Sequence, residues 1–473
     1  MQRDDRSHQV LTGTNAEDTN AEVQSDEGAG MVGTILNIGN LSFGAGMLAL
    51  PYAFEKGGLA VGLLGLGLVL WWNKCCCQLM VEMKEEYLLR LKANPNMPTE
   101  PTTYAAVGLM AMGKVGAWLV NASVVITLLG AATAYFINAN DLLSDTPLYV
   151  GKSLSADSAM YLNTVIYMLM MYPLTLAKSL APLAKLSVPA VLSLFGGFAV
   201  IITLGLHRYG GWPSGQELLD WPSLIGPADL AAFSSFFGVA VFSFGVTLMA
   251  YDVQESMANQ KSFMSTLNVS LVLIWEVYTL TGGVASIIYM QGGHISDNIM
   301  SDSPAGELSG VLLRVFMTMA TLFTYPLVMQ PVISIVEEGV AMMLGQAAVG
   351  ESAAVNLGYG AINSSDAEAA VSEAPGPLKQ TGLTWGQSLV VRGVLVLLTG
   401  IFATAIPMFG VVVSLLGSAS ISLGSFVLPP LFHLLTFRGR LGPWEVTYDA
   451  VLFLVGALTC VITTATTAIS VFG

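Results

Sequence analysis

The stretch Asn-Leu-Ser-Phe-Gly-Ala-Gly-Met-Leu-Ala-Leu-Pro-Tyr, residues 40–52, lies within 27 residues, Gly28 to Phe54, that contain no Asp, Glu, Lys or Arg. So apolar a run is expected to be helix in hydrocarbon, yet it places Asn40, Ser42, Gly44, Ala45 and Gly46 where leucines would make a steadier one. Gly44 and Gly46 loosen the helix and Pro51 weakens its second half. An unwound midpoint has a chemical use. The N–H groups that open the second half-helix carry the positive end of its dipole and bind a carboxylate. Carbonyls that end the first half hold an ammonium group or a cation. A site with both ends suits a zwitterion. Helix packing through small residues is the competing use of glycine, and Gly58 and Gly62 of the next run are the better example of it.

A second interruption falls in residues 241–254, Val-Phe-Ser-Phe-Gly-Val-Thr-Leu-Met-Ala-Tyr-Asp-Val-Gln, where Ser243, Gly245 and Thr247 break an apolar run. Phe242 and Phe244 are placed to wall a pocket there. A third feature is a lone carboxylate, Glu276, deep in the apolar run Leu271 to Gly283. An intramembrane ionisable residue is a functional candidate by default, because a charge near the midplane costs about 2.5 to 3.5 kcal/mol on insertion scales. Thr279 and Gly283 share its helical face, which is therefore expected to turn toward protein. Glu276 is the candidate for coupling to protons.

The elements that would position these residues are membrane helices. The chain has 473 residues, is 54% hydrophobic and only 11% charged, against roughly 25% in soluble domains. Uncharged runs of 20 to 26 residues recur along it, enough to cross a bilayer core of about 30 Å as helix. Eleven helices are expected, near 31–54, 58–80, 115–139, 158–177, 186–206, 231–251, 267–290, 309–334, 387–405, 408–434 and 447–470. With the N-terminus cytoplasmic, 14 of the 18 basic residues fall on the inner side and only Lys56, Lys152, Arg208 and Arg314 on the outer. The net charge of −14 comes largely from an acidic tail, residues 1–30, expected to be disordered, and from a low-complexity cytoplasmic loop, residues 337–383. The transmembrane domain is expected to fill residues 31–473. Nothing supports a nucleic-acid partner; the surroundings are the lipid bilayer. The interrupted spans are first and sixth in order, which points to a transporter of five-plus-five inverted repeats.

These residues also resemble those of a known family. Asn37 to Gly58 is similar to the first helix of the amino acid/auxin permease family, an Asn followed by small residues around Gly-x-Gly and a Leu-Pro-Tyr-Ala end. Leu322 to Glu338, with Pro326 and Pro331, resembles the family's eighth helix, and Ile406 to Leu434, ending Leu-Pro-Pro, its tenth. The resemblance implies the fold of the bacterial leucine transporter and secondary active transport of amino acids by alternating access. It implies that Gly44, Ala45 and Gly46 form the substrate loop. It also implies a sodium site at Asn40 and Thr324, with no resident cofactor. Sodium and protons stay open as coupling ions. Val246 and Thr247 depart from the family's Gly-His or Cys-His pair.

A pocket of Gly, Ala, Ser and Phe without a counter-charge argues for neutral side chains on an amino acid substrate. The plasma membrane and a vacuolar or lysosomal membrane both fit. A transporter-like amino acid sensor would use the same broken helices. A channel would not require them, and no nucleophile-base pair or paired aspartates suggest a membrane enzyme.

Overall fold

A computed structural model of the protein describes residues 30–93, 103–144, 154–176, 180–215, 218, 224–302, 308–345, 383–406 and 408–472. The first apolar run forms two helices, α1 (Met31–Ser42) and α2 (Ala45–Gly57). They part at Phe43, whose ψ is 93°, and at extended Gly44. Pro51 lies inside α2, which is buried almost throughout. Gly58, at φ 77°, makes the turn into α3 (Leu59–Ala93), a conformation that side chains with a Cβ rarely adopt.

The short helix α4 (Tyr104–Met112) turns through Gly113, at φ 66°, into α5 (Lys114–Ser144). α6 (Ala156–Thr175) and α7 (Leu180–Arg208) follow. The second interrupted run forms α8 (Leu230–Ser243), a tight 3₁₀ segment from Gly245 to Met249, and α9 (Ala250–Glu255). α10 (Phe263–Tyr278) continues through a widened π turn, Thr279–Val284, into α11 (Ala285–Tyr289). α12 (Leu308–Met343) carries Pro326 and Pro331 and packs along α7.

α13 (Trp385–Ala405) begins with a capping box from Thr384 and Gln387. α14 (Phe409–Leu415) runs through two π turns into α15 (Leu428–Thr436), and α16 (Pro443–Phe472) closes the described chain against α8 and α15. Among the described residues, nine helices are long and apolar enough to cross a membrane. The expected first span is absent from the nine because its halves have 12 and 13 residues. The chain is an all-helical, multi-pass membrane protein.

Some boundaries differ from those expected. α3 runs to Ala93 rather than to residue 80, because beyond the apolar run the pair Glu86–Arg90, at 2.7 Å and four residues apart, continues it. α12 runs to Met343, so residues 337–343 of the expected loop are helix, held where Arg392 Nε meets Glu337 at 2.8 Å. Residues 346–382 of that loop and residues 1–29 of the tail lie outside the described residues.

Candidate functional site

The two breaks meet. Ser42 ends α1 by donating its hydroxyl to the Ile38 carbonyl at 3.0 Å, and Ser243 ends α8 in the same way on Val239 at 2.9 Å. The proton of each serine hydroxyl is thus spent on its own helix. Each serine's own carbonyl instead accepts from Tyr278 of α10, whose hydroxyl lies 2.6 Å from the Ser42 oxygen and 2.8 Å from the Ser243 oxygen. A phenol has one proton, so Tyr278 serves the two carbonyls by turns. Its ring stands edge-on to Phe43 and to fully buried Phe244, with centroids 5.9 and 5.2 Å away. Two negative helix ends therefore converge on one hydroxyl.

The positive end of α2 faces another phenol. The buried Tyr135 hydroxyl of α5 lies beside Gly44 and Ala45 in the cavity wall, so a neutral oxygen sits near the place where the dipole favours a carboxylate. A Cβ on Gly44 would lie 2.7 Å from that hydroxyl, while the Gly44 φ of −153° is extended and open to any residue. Space, not backbone angle, requires this glycine. A Cβ on Gly46 would lie 2.6 Å from the Ser243 hydroxyl and 3.0 Å from the Phe242 ring, so Gly46 is where α2 touches the second break. Gly245 is looser, its Cβ position 3.7 Å from Ile421.

A cavity of about 20 Å³ remains beside the first break, room for about one water. It takes in Gly44, Ala45 and Thr324 together with Tyr135, Asn138 and Phe409, and no charged side chain lines it. Asn138 leads outward from it. Its amide oxygen accepts from Asn298 at 2.9 Å, in the loop before α12, and its amide nitrogen lies 3.3 Å from the Thr321 hydroxyl. The same loop donates the Ile295 N–H to Glu55 of α2 at 2.8 Å and accepts the Gly410 N–H of α14 on Asp297 at 2.8 Å. One loop thus ties together α2, α5 and α14 over the cavity.

Thr324 donates its hydroxyl to Ala320 of its own helix at 2.8 Å, which leaves its oxygen lone pairs for a cation. The Asn40 side chain lies outside the described residues. No group of three or more His, Cys, Asp and Glu that could hold a metal occurs among the described residues.

Glu276 does not face protein, contrary to the expectation that its helical face turns inward. The packed face of α10 is Leu267, Leu271, Ile274 and Tyr278, each at most 1% exposed, and this stripe turns Glu276 outward with exposed Val272, Leu273 and Leu280. The same spacing was the signal for Tyr278. It continues the apolar stripe by one step, and a reading drawn to the carboxylate passes over it.

The sequence profile described as transmembrane amino acid transporter protein matches residues 27–469. The chain belongs to this amino acid transporter family. Amino acid transporter ANT1 of Arabidopsis thaliana is 24% identical to this member over 436 residues, 90% of each chain. The vesicular inhibitory amino acid transporter of Homo sapiens is 23% identical over 440 residues, covering 89% of this chain and 72% of that protein. Among solved structures, the inward-facing conformation of Mhp1 superposes with a TM-score of 0.50 at 12% identity, over 94% of this chain and 90% of that one. The transporter's fold is therefore that of Mhp1, one of the leucine-transporter folds that the family resemblance implied.

Proposed function

We propose that the chain is a secondary active transporter that moves amino acids with uncharged side chains by alternating access. In this reading, the substrate carboxylate displaces the Tyr135 hydroxyl at the Ala45 and Gly46 N–H groups, and its ammonium group lies near the carbonyls of Ser42 and Ser243. Phe242, Phe244 and the Gly245 backbone bound the side chain. The observation that carries the reading is the positive end of α2 bordering a pocket lined by no charged side chain, with the negative ends of α1 and α8 meeting close by at the Tyr278 hydroxyl. The pocket is too small for an amino acid as it stands, which calls for a motion that opens it.

The architecture proposed is eleven spans in five-plus-five repeats with the N-terminus cytoplasmic, the expected spans at 31–54 and 158–177 adding to the nine. Coupling is to sodium, at Asn40 and Thr324, or to protons. Similarity to the vesicular inhibitory amino acid transporter favours a vesicular or vacuolar membrane over the plasma membrane. Uptake of labelled neutral, cationic and acidic amino acids into proteoliposomes, with sodium and pH varied, tests the proposal. Accumulation of neutral substrates driven by one of the two gradients is expected. Binding without uptake would make the chain a sensor.

A further inference from the structure

A much larger cavity, about 580 Å³, lies at the outer end of α2, within the range of small-molecule sites. It is distinct from the central pocket. Phe409 lines the small cavity, whereas its neighbours Met408 and Gly410 line the large one, so the start of α14 stands between them. The far wall is α16, through Thr467 and Ser470.

Three charged groups border this space, and one of them is already satisfied. Both oxygens of Glu55 are taken, Oε1 by His294 Nδ1 at 3.0 Å and Oε2 by the Ile295 N–H at 2.8 Å. Lys56 spends one direction on Glu55 Oε1, 3.3 Å away, and sits 5.2 Å from the centre of the Tyr52 ring. An ammonium has three N–H donors, so capacity remains. Asp229 uses Oδ1 to cap α8, accepting the Ala232 N–H at 2.7 Å, and keeps Oδ2. On the α16 wall, Thr467 is 3% exposed and its hydroxyl has no hydrogen-bond partner among the described residues. The cavity thus offers one cation, one carboxylate oxygen and an unused hydroxyl.

We infer that this cavity binds a small zwitterion, its acid group on Lys56 and its ammonium group on Asp229. A ligand with a single charge would leave either Lys56 or Asp229 unmatched. Free amino acids and the phosphoethanolamine headgroup of a phospholipid share this chemistry. The inference does not rest on the central pocket being the transport site.

The test is equilibrium binding of tritiated alanine and of tritiated phosphoethanolamine to the purified full-length protein, in nanodiscs of phosphatidylglycerol and in nanodiscs of phosphatidylethanolamine. Three forms are compared: the unmodified protein, Gly46→Leu, which fills the central contact, and Lys56→Gln with Asp229→Asn, where Asn keeps the helix cap. Binding of either probe that persists in Gly46→Leu and weakens at least tenfold in the paired variant supports the site. Loss of that binding only in phosphatidylethanolamine discs assigns the site to the lipid headgroup; equal binding in both discs assigns it to the free zwitterion. Failure of both probes to bind Gly46→Leu in phosphatidylglycerol discs, or unchanged binding in the paired variant, overturns the inference. Uptake by the unmodified protein is measured alongside, so the transport reading stands or falls separately.

Discussion

The Tyr278 hydroxyl lies 2.6 Å from the carbonyl oxygen of Ser42 and so joins the end of α1 to a helix 236 residues further along the chain. Its second contact, with Ser243 at 2.8 Å, makes it the one side chain that touches both breaks through hydrogen bonds among the described residues.

Tyr278→Phe keeps the ring between Phe43 and Phe244 and removes the donor. Leaving a buried carbonyl unsatisfied costs about 1 to 3 kcal/mol, so uptake is expected to fall by roughly tenfold or more while the protein still reaches the membrane. Uptake assayed at matched surface expression checks this. An unchanged rate would mean that the breaks are held by packing alone.

The contact at Gly44 predicts a rescue. Gly44→Ala forces a Cβ to within 2.7 Å of the Tyr135 hydroxyl, an overpacking of about 1 to 3 kcal/mol. Tyr135→Phe removes the clashing atom, so the double variant should transport better than Gly44→Ala alone. A bulkier Gly44→Val should abolish uptake in either background. If the Tyr135 change gives no recovery, the glycine is required for another reason.

How much of this was legible in the sequence differs from residue to residue. Gly44 and Gly46 betrayed the first break because glycine among polar residues has no stabilising role in a lipid-embedded helix, and Ser243 with Gly245 betrayed the second. Tyr278 and Tyr135 stayed hidden, since a tyrosine in an apolar run reads as packing until its hydroxyl's partner is known. Asn138 was equally silent, because its partner Asn298 comes from a loop 160 residues away. Glu276 is conspicuous by charge, but its orientation was not legible, because the spacing of Leu267, Leu271, Ile274 and Tyr278 turns it outward.

The outward position of Glu276 makes a prediction of its own. Glu276→Gln should leave uptake within about twofold and its pH dependence unchanged, as for a substitution away from the working face. A shifted pH profile would return the residue to the coupling mechanism.

If sodium is the coupling ion at Asn40 and Thr324, then Asn40→Ala and Thr324→Ala should each raise the sodium concentration for half-maximal uptake. Losing one ligand interaction of about 1.4 kcal/mol corresponds to tenfold. Sodium-independent uptake by the unmodified protein dismisses this site and leaves protons.

The central claim is that an amino acid binds where α2 meets the two breaks. Gly46→Leu tests it most directly, because a side chain there lands on the Ser243 hydroxyl and the Phe242 ring without touching the lipid face. In proteoliposomes holding equal amounts of folded protein, the unmodified chain should accumulate labelled neutral amino acid against its gradient and Gly46→Leu should not. Equal accumulation by both would contradict the account.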